Sequence, residues 1–448
     1  MPKKVRVLSG AGRAVVAFAL TIVIGAILFR SPAASSGEPL RWIDALFTST
    51  SAVCVTGLST VDVGTRLSRP GQLVLLGLIQ LGGLGITTFS TFLLVAAGRA
   101  TLAHHVEAQE QLGGVRIAPS RLLWWVVSST MLIETVGVLV LASRLPETDR
   151  WWSAVFHSVS AFCNSGFSLY PDSLTRFRSD SVLNATIAGL IILGSLGFIV
   201  HVQLATWIIS RVTRRRFPLF LHTRVVVLAS AVLWAFGAAA FLLFESSHAM
   251  RDMPMVDRLV AAAFQSVSTR TAGFSTLDFG TMREVTLFAV MFFMFVGAGP
   301  GSCAGGVKVT TAAVLLATIR ARIRGEDGVT LLHRTVPPPI VRRAFHLVIL
   351  ALLFVSVMLL ALLFVDERAP THTGRNDQLT LLAFEAVSAF GTVGLSTGVT
   401  PSLSAAGKLI IILCMFVGRL GPLVIALAVL PERPGPRFEY PREDLAIG

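Results

Sequence analysis

Charge is scarce in this chain. Asp, Glu, Lys and Arg make up 14% of its 448 residues, where a soluble domain carries about a quarter. That scarcity excludes an ordinary soluble fold. Cysteine is sparse too: Cys54, Cys163, Cys303 and Cys414 are scattered through apolar segments, with no metal-ligand spacing and no disulfide framework. Convergent catalytic groups are missing. His104-His105 is the only histidine pair and has no nearby companions, so a membrane enzyme or sensor has nothing to work with. A Gly-rich run at 297–308 lacks the Gly-Lys-Ser/Thr of a nucleotide-binding loop and has no preceding strand. The net charge of +13 comes without interleaved aromatic or base-reading partners, which argues against nucleic acid.

What is abundant is apolar helix. Hydrophobic residues reach 53%, and stretches at 14–29, 73–97, 181–200 and 345–365 approach the roughly 20 residues that cross a bilayer. The first follows Lys3, Lys4 and Arg6. It reads as a retained helix rather than a signal peptide, because only the weak Ala33-Ala34-Ser35 resembles a cleavage site. Basic residues collect between apolar spans, as Arg211, Arg214, Arg215, Arg216 and Arg224, then Arg320, Arg322, Arg324, Arg334, Arg342 and Arg343. Such clusters mark the cytoplasmic side.

Four segments repeat one pattern. Phe47 leads to Ser51 and Cys54-Val55-Thr56-Gly57-Leu58-Ser59; Phe156 to Ser160 and Cys163-Asn164-Ser165-Gly166-Phe167-Ser168. Phe264 leads to Ser268 and Arg270-Thr271-Ala272-Gly273-Phe274-Ser275; Phe384 to Ser388 and Gly391-Thr392-Val393-Gly394-Leu395-Ser396. The glycines are 109, 107 and 121 residues apart, and the third copy is one residue shorter between Phe and Gly. An apolar span precedes each segment, at about 12–29, 122–143, 224–244 and 344–365. Another follows, at about 72–97, 182–210, 285–320 and 404–430. The run before each glycine, about ten to fourteen residues, is too short to span and reads as re-entrant. The expected fold is therefore all-α and integral to the membrane, with four tandem helix–pore loop–helix repeats around one pore. The repeat boundaries are read as 1–100, 101–212, 213–325 and 326–448. Eight spans put both termini on the basic, cytoplasmic side of a multi-pass plasma-membrane protein. Asp62, Asp172, Asp278 and Asp366 fall mostly in the opposite loops.

Irregular backbone at membrane depth must be shielded or line water. Four such loops around an axis can aim carbonyls at a dehydrated ion, glycine supplies the dihedrals that a Cβ opposes, and the helix ends favour a cation. No carboxylate sits in the four signatures, which suits potassium. Thr392-Val393-Gly394 repeats the start of a potassium-channel filter. The filter candidates are Val55, Thr56, Gly57 and Leu58; Asn164, Ser165, Gly166 and Phe167; Thr271, Ala272, Gly273 and Phe274; and Thr392, Val393, Gly394 and Leu395. The run containing Gly297, Gly299, Pro300, Gly301, Ser302, Gly305, Gly306 and Lys308 cannot sustain a helix, and below the filter it reads as a gate. Arg419, in mid-span, is a functional candidate by its cost, placed to hold that loop and to delay cations. Glu134, Glu385 and Arg270 read as structural pairs, and His201 and Gln203 as interfacial.

Together the four Gly-Leu/Phe-Ser loops, the Gly-Pro-Gly-Ser to Gly-Gly-Val-Lys break and the Gly-Arg-Leu-Gly-Pro run resemble the Trk/Ktr/HKT superfamily of potassium transporters. With one span before the first loop, the likeness is greatest to the Ktr membrane subunit. The resemblance implies a homodimer with one pore per protomer and a cytoplasmic nucleotide-binding regulatory ring of the KtrA type. It implies K+ as the transported ion, Na+ as an activator, and no covalently bound cofactor. Gly57, Gly166, Gly273 and Gly394 match the family's filter glycines, residues 297–308 its gate loop, and Arg419 its pore arginine. Some sodium-preferring plant relatives carry Ser at the first glycine, so Gly57 favours potassium. A sodium-permeable or Na+-coupled transporter of the same fold is the alternative, because the four copies are not identical.

Overall fold

The computed structural model describes residues 10–84, 119–214, 218–366 and 378–421. Lys3, Lys4, Arg6, Arg215, Arg216, His104-His105, Pro422 and the distal parts of the spans at 72–97 and 404–430 lie outside the described residues.

Four units follow one another. The first contains α1 (Gly10–Arg30), α2 (Trp42–Val53) and α3 (Arg69–Gly83). The second contains α4 (Pro119–Ala142), α5 (Arg150–Phe162), α6 (Ser181–Leu196) and α7 (Phe198–Val212). The third has α8 (Leu221–Glu245), α9 (Met255–Ser268), α10 (Glu284–Phe295) and α11 (Val309–Ile323). A small antiparallel hairpin, β1 (Thr330–Leu331) and β2 (Arg334–Thr335), leads to α12 (Pro338–Val365), α13 (Gln378–Gly391) and α14 (Ala405–Leu420).

Helices α8 and α12, with residues 124–142 of α4, are long and apolar enough to cross a bilayer, and only 28%, 17% and 33% of those windows is buried by protein. Bare apolar helix of this length finds its solvent in lipid. The chain is a multi-pass membrane protein.

The second helix of each unit (α2, α5, α9 and α13) has 12 to 14 residues. At 1.5 Å per residue each is roughly 20 Å long, short of the hydrocarbon thickness. These helices sit in the middle of the molecule, with Phe47, Phe156, Phe264 and Phe384 all buried. Two residues after the Phe, Ser49, Ser158 and Ser266 donate to the carbonyls of Ile22, Glu134 and Trp234 on the preceding long helix. Gly25, Gly137 and Gly237 make room for those hydroxyls, since a Cβ there would come under 3.0 Å from each Oγ. The fourth unit has Ala386 at this position, and the notch is lost.

The span expected to be continuous over 182–210 is not: α6 and α7 meet at 104°. Gly197 takes φ +93°, and the helical hydrogen bonds beside it are diverted to the third unit. Ser195 and Gly194 carbonyls accept from the Gly299 and Cys303 amides at 3.0 and 3.2 Å, and the Phe198 amide donates to Gly301. His201 and Gln203, expected at an interface, are buried on α7, where Gln203 accepts from Thr223.

Candidate ion pathway

The loops after the four short helices converge. A Cβ placed on Gly57 would come under 3.0 Å from the carbonyl oxygen of Ser165, and one on Gly166 from that of Ala272. One on Gly273 would crowd the Val393 oxygen, and one on Gly394 the Thr56 oxygen. Each loop is seated on the next, and the fourth returns to the first. The four glycines have φ of +92°, +71°, +76° and +89°. Two residues earlier, Val55, Asn164, Thr271 and Thr392 are also left-handed, at 55°, 58°, 72° and 49°. The shorter third copy keeps this phase: its missing residue comes out of the turn between helix and loop, where Ala272 N bonds Ser268 O directly.

Two side chains of the short helix hold the loop in the second, third and fourth units; in the first Ser51 acts alone, since Thr48, directly after Phe47, makes no such bond. The serine four after the Phe bonds the backbone beside the glycine. Ser160, Ser268 and Ser388 donate to the carbonyls of Phe167, Phe274 and Leu395, and Ser51 and Ser388 accept from Gly57 N and Gly394 N. The residue directly after the Phe reaches the serine at the loop's far end. His157 meets Ser168 at 3.0 Å, the Gln265 amide lies against Ser275, and Glu385 accepts from Ser396 at 2.6 Å. Glu385 also accepts from Thr400 and from Thr397 N, so its carboxylate braces the loop from behind. Leu58, Phe167, Phe274 and Leu395 point into the apolar core.

On one side of the ring opens a cavity of about 650 Å³ lined by all four glycines and by Asp62, Asp172 and Asp278. Partial burial pushes the Asp172 carboxyl up, but the hydrogen bond and charge of Arg176 outweigh it and hold it below the usual range.

On the other side, residues 297–308 form an irregular loop between α10 and α11, closed by a bridge between Val296 and Val307. A Cβ on Gly305 would overlap Thr392, one on Gly297 the Gly305 carbonyl, and one on Gly299 the Leu196 carbonyl. Gly306 lies against Gly391, and Pro300 and Gly301 against Gly197. Ser302 Oγ donates to Gly299 O at 2.6 Å, and Lys308 Nζ to Ala304 O at 2.5 Å. Arg419 is buried and donates to the Cys303 carbonyl within the loop and to the Gly82 carbonyl on α3. Arg270 Nη2 holds the loop's first carbonyl, Gly297 O, at 2.6 Å, and its guanidinium lies over Trp234.

Comparison with known proteins fits this geometry. A family model described as a cation transport protein, TrkH, matches residues 13–439. The chain belongs to the TrkH cation transport family. As a TrkH-family member it is a cation transporter, not an enzyme. It is 38% identical over 97% of its length to the Ktr system potassium uptake protein B of Bacillus subtilis (strain 168), covering 95% of that protein. To the potassium/sodium uptake protein NtpJ of Enterococcus hirae it is 34% identical, over 96% of this chain and 95% of that one. The crystal structure of the potassium transporter TrkH from Vibrio parahaemolyticus superposes with a TM-score of 0.72 at 19% identity, covering 96% of this chain and 86% of that one. That likeness speaks for the fold, an all-α membrane transporter with pore-loop repeats.

Two features of this TrkH-family chain were not anticipated from the motifs. Lys408 on α14 forms a 2.9 Å ion pair with Asp44 on α2, both largely buried, and it ties the fourth unit to the first. In addition, Gly82-Gly83-Leu84-Gly85, Gly194-Ser195-Leu196-Gly197 and Gly418-Arg419-Leu420-Gly421 form a second repeated motif. Its first glycine packs on the end of the short helix: a Cβ on Gly82, Gly194 or Gly418 would overlap the carbonyl of Val53, Phe162 or Phe390. Arg419 thus occupies the place held by Gly83 and Ser195 in the first two units. Aligning the third helices, as well as the loops, would have exposed it.

Proposed function

We propose that this chain is the ion-conducting subunit of a potassium uptake system. Dehydrated K+ passes between the four loops, where backbone carbonyls of 55–58, 164–167, 271–274 and 392–395 replace its water. The observation that carries this reading is the closed ring in which each filter glycine abuts the carbonyl of the next loop. Left-handed dihedrals at every second residue turn alternate peptide planes, so that successive oxygens face one side. Oxygens held by buried serines cannot collapse inward on a smaller ion, and the short-helix C-termini add negative potential at the axis. Each of the repeats 1–100, 101–212, 213–325 and 326–448 supplies one quarter of the pathway.

The loop at 297–308 is the gate, and Arg419 is its latch and an electrostatic barrier. Its guanidinium bonds bridge the loop to the first unit. Opening requires those bonds to break and the loop to leave the axis. The names of the Ktr relatives support a membrane subunit of a multi-component system. We infer further a homodimer in the plasma membrane, with both termini cytoplasmic, on a nucleotide-binding ring of the KtrA type. Na+ acts there as an activator. A second reading, sodium permeation or coupling, is favoured by the potassium/sodium name of the Enterococcus relative.

Rubidium uptake into proteoliposomes, with and without competing sodium, tests the proposal. Uptake that sodium leaves largely intact is expected. Equal competition by sodium selects the second reading, and no flux from correctly inserted protein overturns both.

A further inference from the structure

Helices α8, α10 and α11 splay apart on the membrane-facing surface and leave a groove of about 770 Å³. It lies in the half of the molecule away from the acidic mouth. The groove borders the start of α8, whereas Glu245 at the other end of that helix accepts from the amide of Arg283, next to the mouth. Its walls are apolar and bare: Leu228, Phe292 and Leu316 are 52%, 62% and 68% exposed. Its far rim carries Arg320 and Arg324. Neither guanidinium has an ion pair or side-chain hydrogen bond among the described residues, and Glu326 on the same rim pairs with neither. The inner wall includes Val296 and Val309, the residues that flank the gate loop on its two sides.

We propose that this groove binds an anionic phospholipid whose occupancy braces the gate loop. An acyl chain fits the apolar walls. A phosphate fits the two guanidiniums, which bond phosphate oxygens in fork geometry, and basic pockets at the ends of membrane helices are suited to acidic headgroups. A zwitterionic lipid would leave the arginines only partly compensated. Val296 and Val309 are themselves packed by protein, at 7% and 1% exposure. What the acyl chain covers is bare Phe292 on α10 and bare Leu316 on α11, the helices that end and begin at the two ends of the loop. A chain lying between them holds α10 and α11, and with them the loop ends, at fixed separation; when the groove empties, that brace is lost.

Native mass spectrometry of the detergent-purified full chain, with phosphatidylglycerol or phosphatidylcholine added back, tests the binding. Wild type is expected to retain phosphatidylglycerol selectively. Arg320→Gln with Arg324→Gln should weaken retention by about 25-fold, from roughly fivefold per guanidinium. Leu316→Trp, which fills the groove and leaves the charges, should also abolish it. Retention unchanged in both variants overturns the proposal. Loss in the arginine variant alone would reduce the effect to surface attraction and equally overturn the groove site. Cross-linking of Leu316→Cys between two copies would show a second copy in the groove and overturn it as well. Rubidium flux into phosphatidylglycerol-containing vesicles should change several-fold relative to phosphatidylcholine in wild type but not in either variant. That arm rests on the transport reading above; the retention arm does not.

Discussion

At Gly57 two constraints coincide: a φ of +92° that L-residues rarely adopt, and a neighbouring carbonyl where a Cβ would sit. Gly57→Ser should therefore strain the first loop by about 1–2 kcal/mol and displace the Ser165 oxygen. The expected outcome is weakened potassium-over-sodium discrimination in paired rubidium and sodium fluxes. Unchanged relative fluxes would remove the first loop from the filter. The Lys408–Asp44 pair makes a second residue-scale prediction. Asp44→Asn strands a buried ammonium and should destabilise the protein by about 3–5 kcal/mol, read as a lower thermal midpoint in detergent. Combining it with Lys408→Met should recover much of the loss. A double variant no better than the single one would show that the pair is not coupled.

At the scale of the element, the third helix of each unit is set by how closely it approaches the short helix. Gly194→Ala drives a methyl into the Phe162 carbonyl and should cost about 1–3 kcal/mol through displacement of α6. Gly189→Ala, on the same helix with nothing within 4 Å, should be neutral or slightly stabilising. Thermal unfolding of the two variants side by side checks this. The loop at 297–308, proposed above as the gate, is held at its start by Arg270 and at its middle by Arg419. Arg419→Ala releases one hold and removes a charge from the pathway, so rubidium flux should rise several-fold. Flux equal to wild type would sink the latch.

Across the whole molecule, the mouth is acidic and the opposite half is basic. Asp172 stays ionised into the acid range because Arg176 holds its carboxyl low, and the pair cancels that arginine's positive charge at the mouth. Asp172→Asn should slow uptake by about two- to fivefold at low ionic strength, and the difference should vanish in high salt as the field is screened. A salt-independent defect would point to damaged loop structure instead. The architecture was legible because a membrane protein advertises its spans by composition, and its repeats by glycine, phenylalanine and serine at fixed spacing. The kink at Gly197 was not legible, because an apolar run over 182–210 reads the same whether its hydrogen bonds stay within the helix or go to another unit's loop. Glu385 could be placed behind a loop from its position, but its partners Ser396, Thr397 and Thr400 lie 11 to 15 residues on and carry no periodicity.

By itself the amino-acid sequence determined that this chain lies in a membrane, that it is built from four like units, and which glycine in each unit must take a left-handed turn. Those properties follow from local chemistry: hydropathy, helix length and the steric demands of a Cβ. Only the tertiary structure decided that the four turns close on one another in a ring, that Arg419 reaches both the loop at 297–308 and the first unit, and that Lys408 meets Asp44 across the molecule. Contacts that recur in each unit leave a repeated glycine or serine in the chain, but a contact made once, between residues hundreds of positions apart, depends on how whole helices pack and has no repeat to betray it.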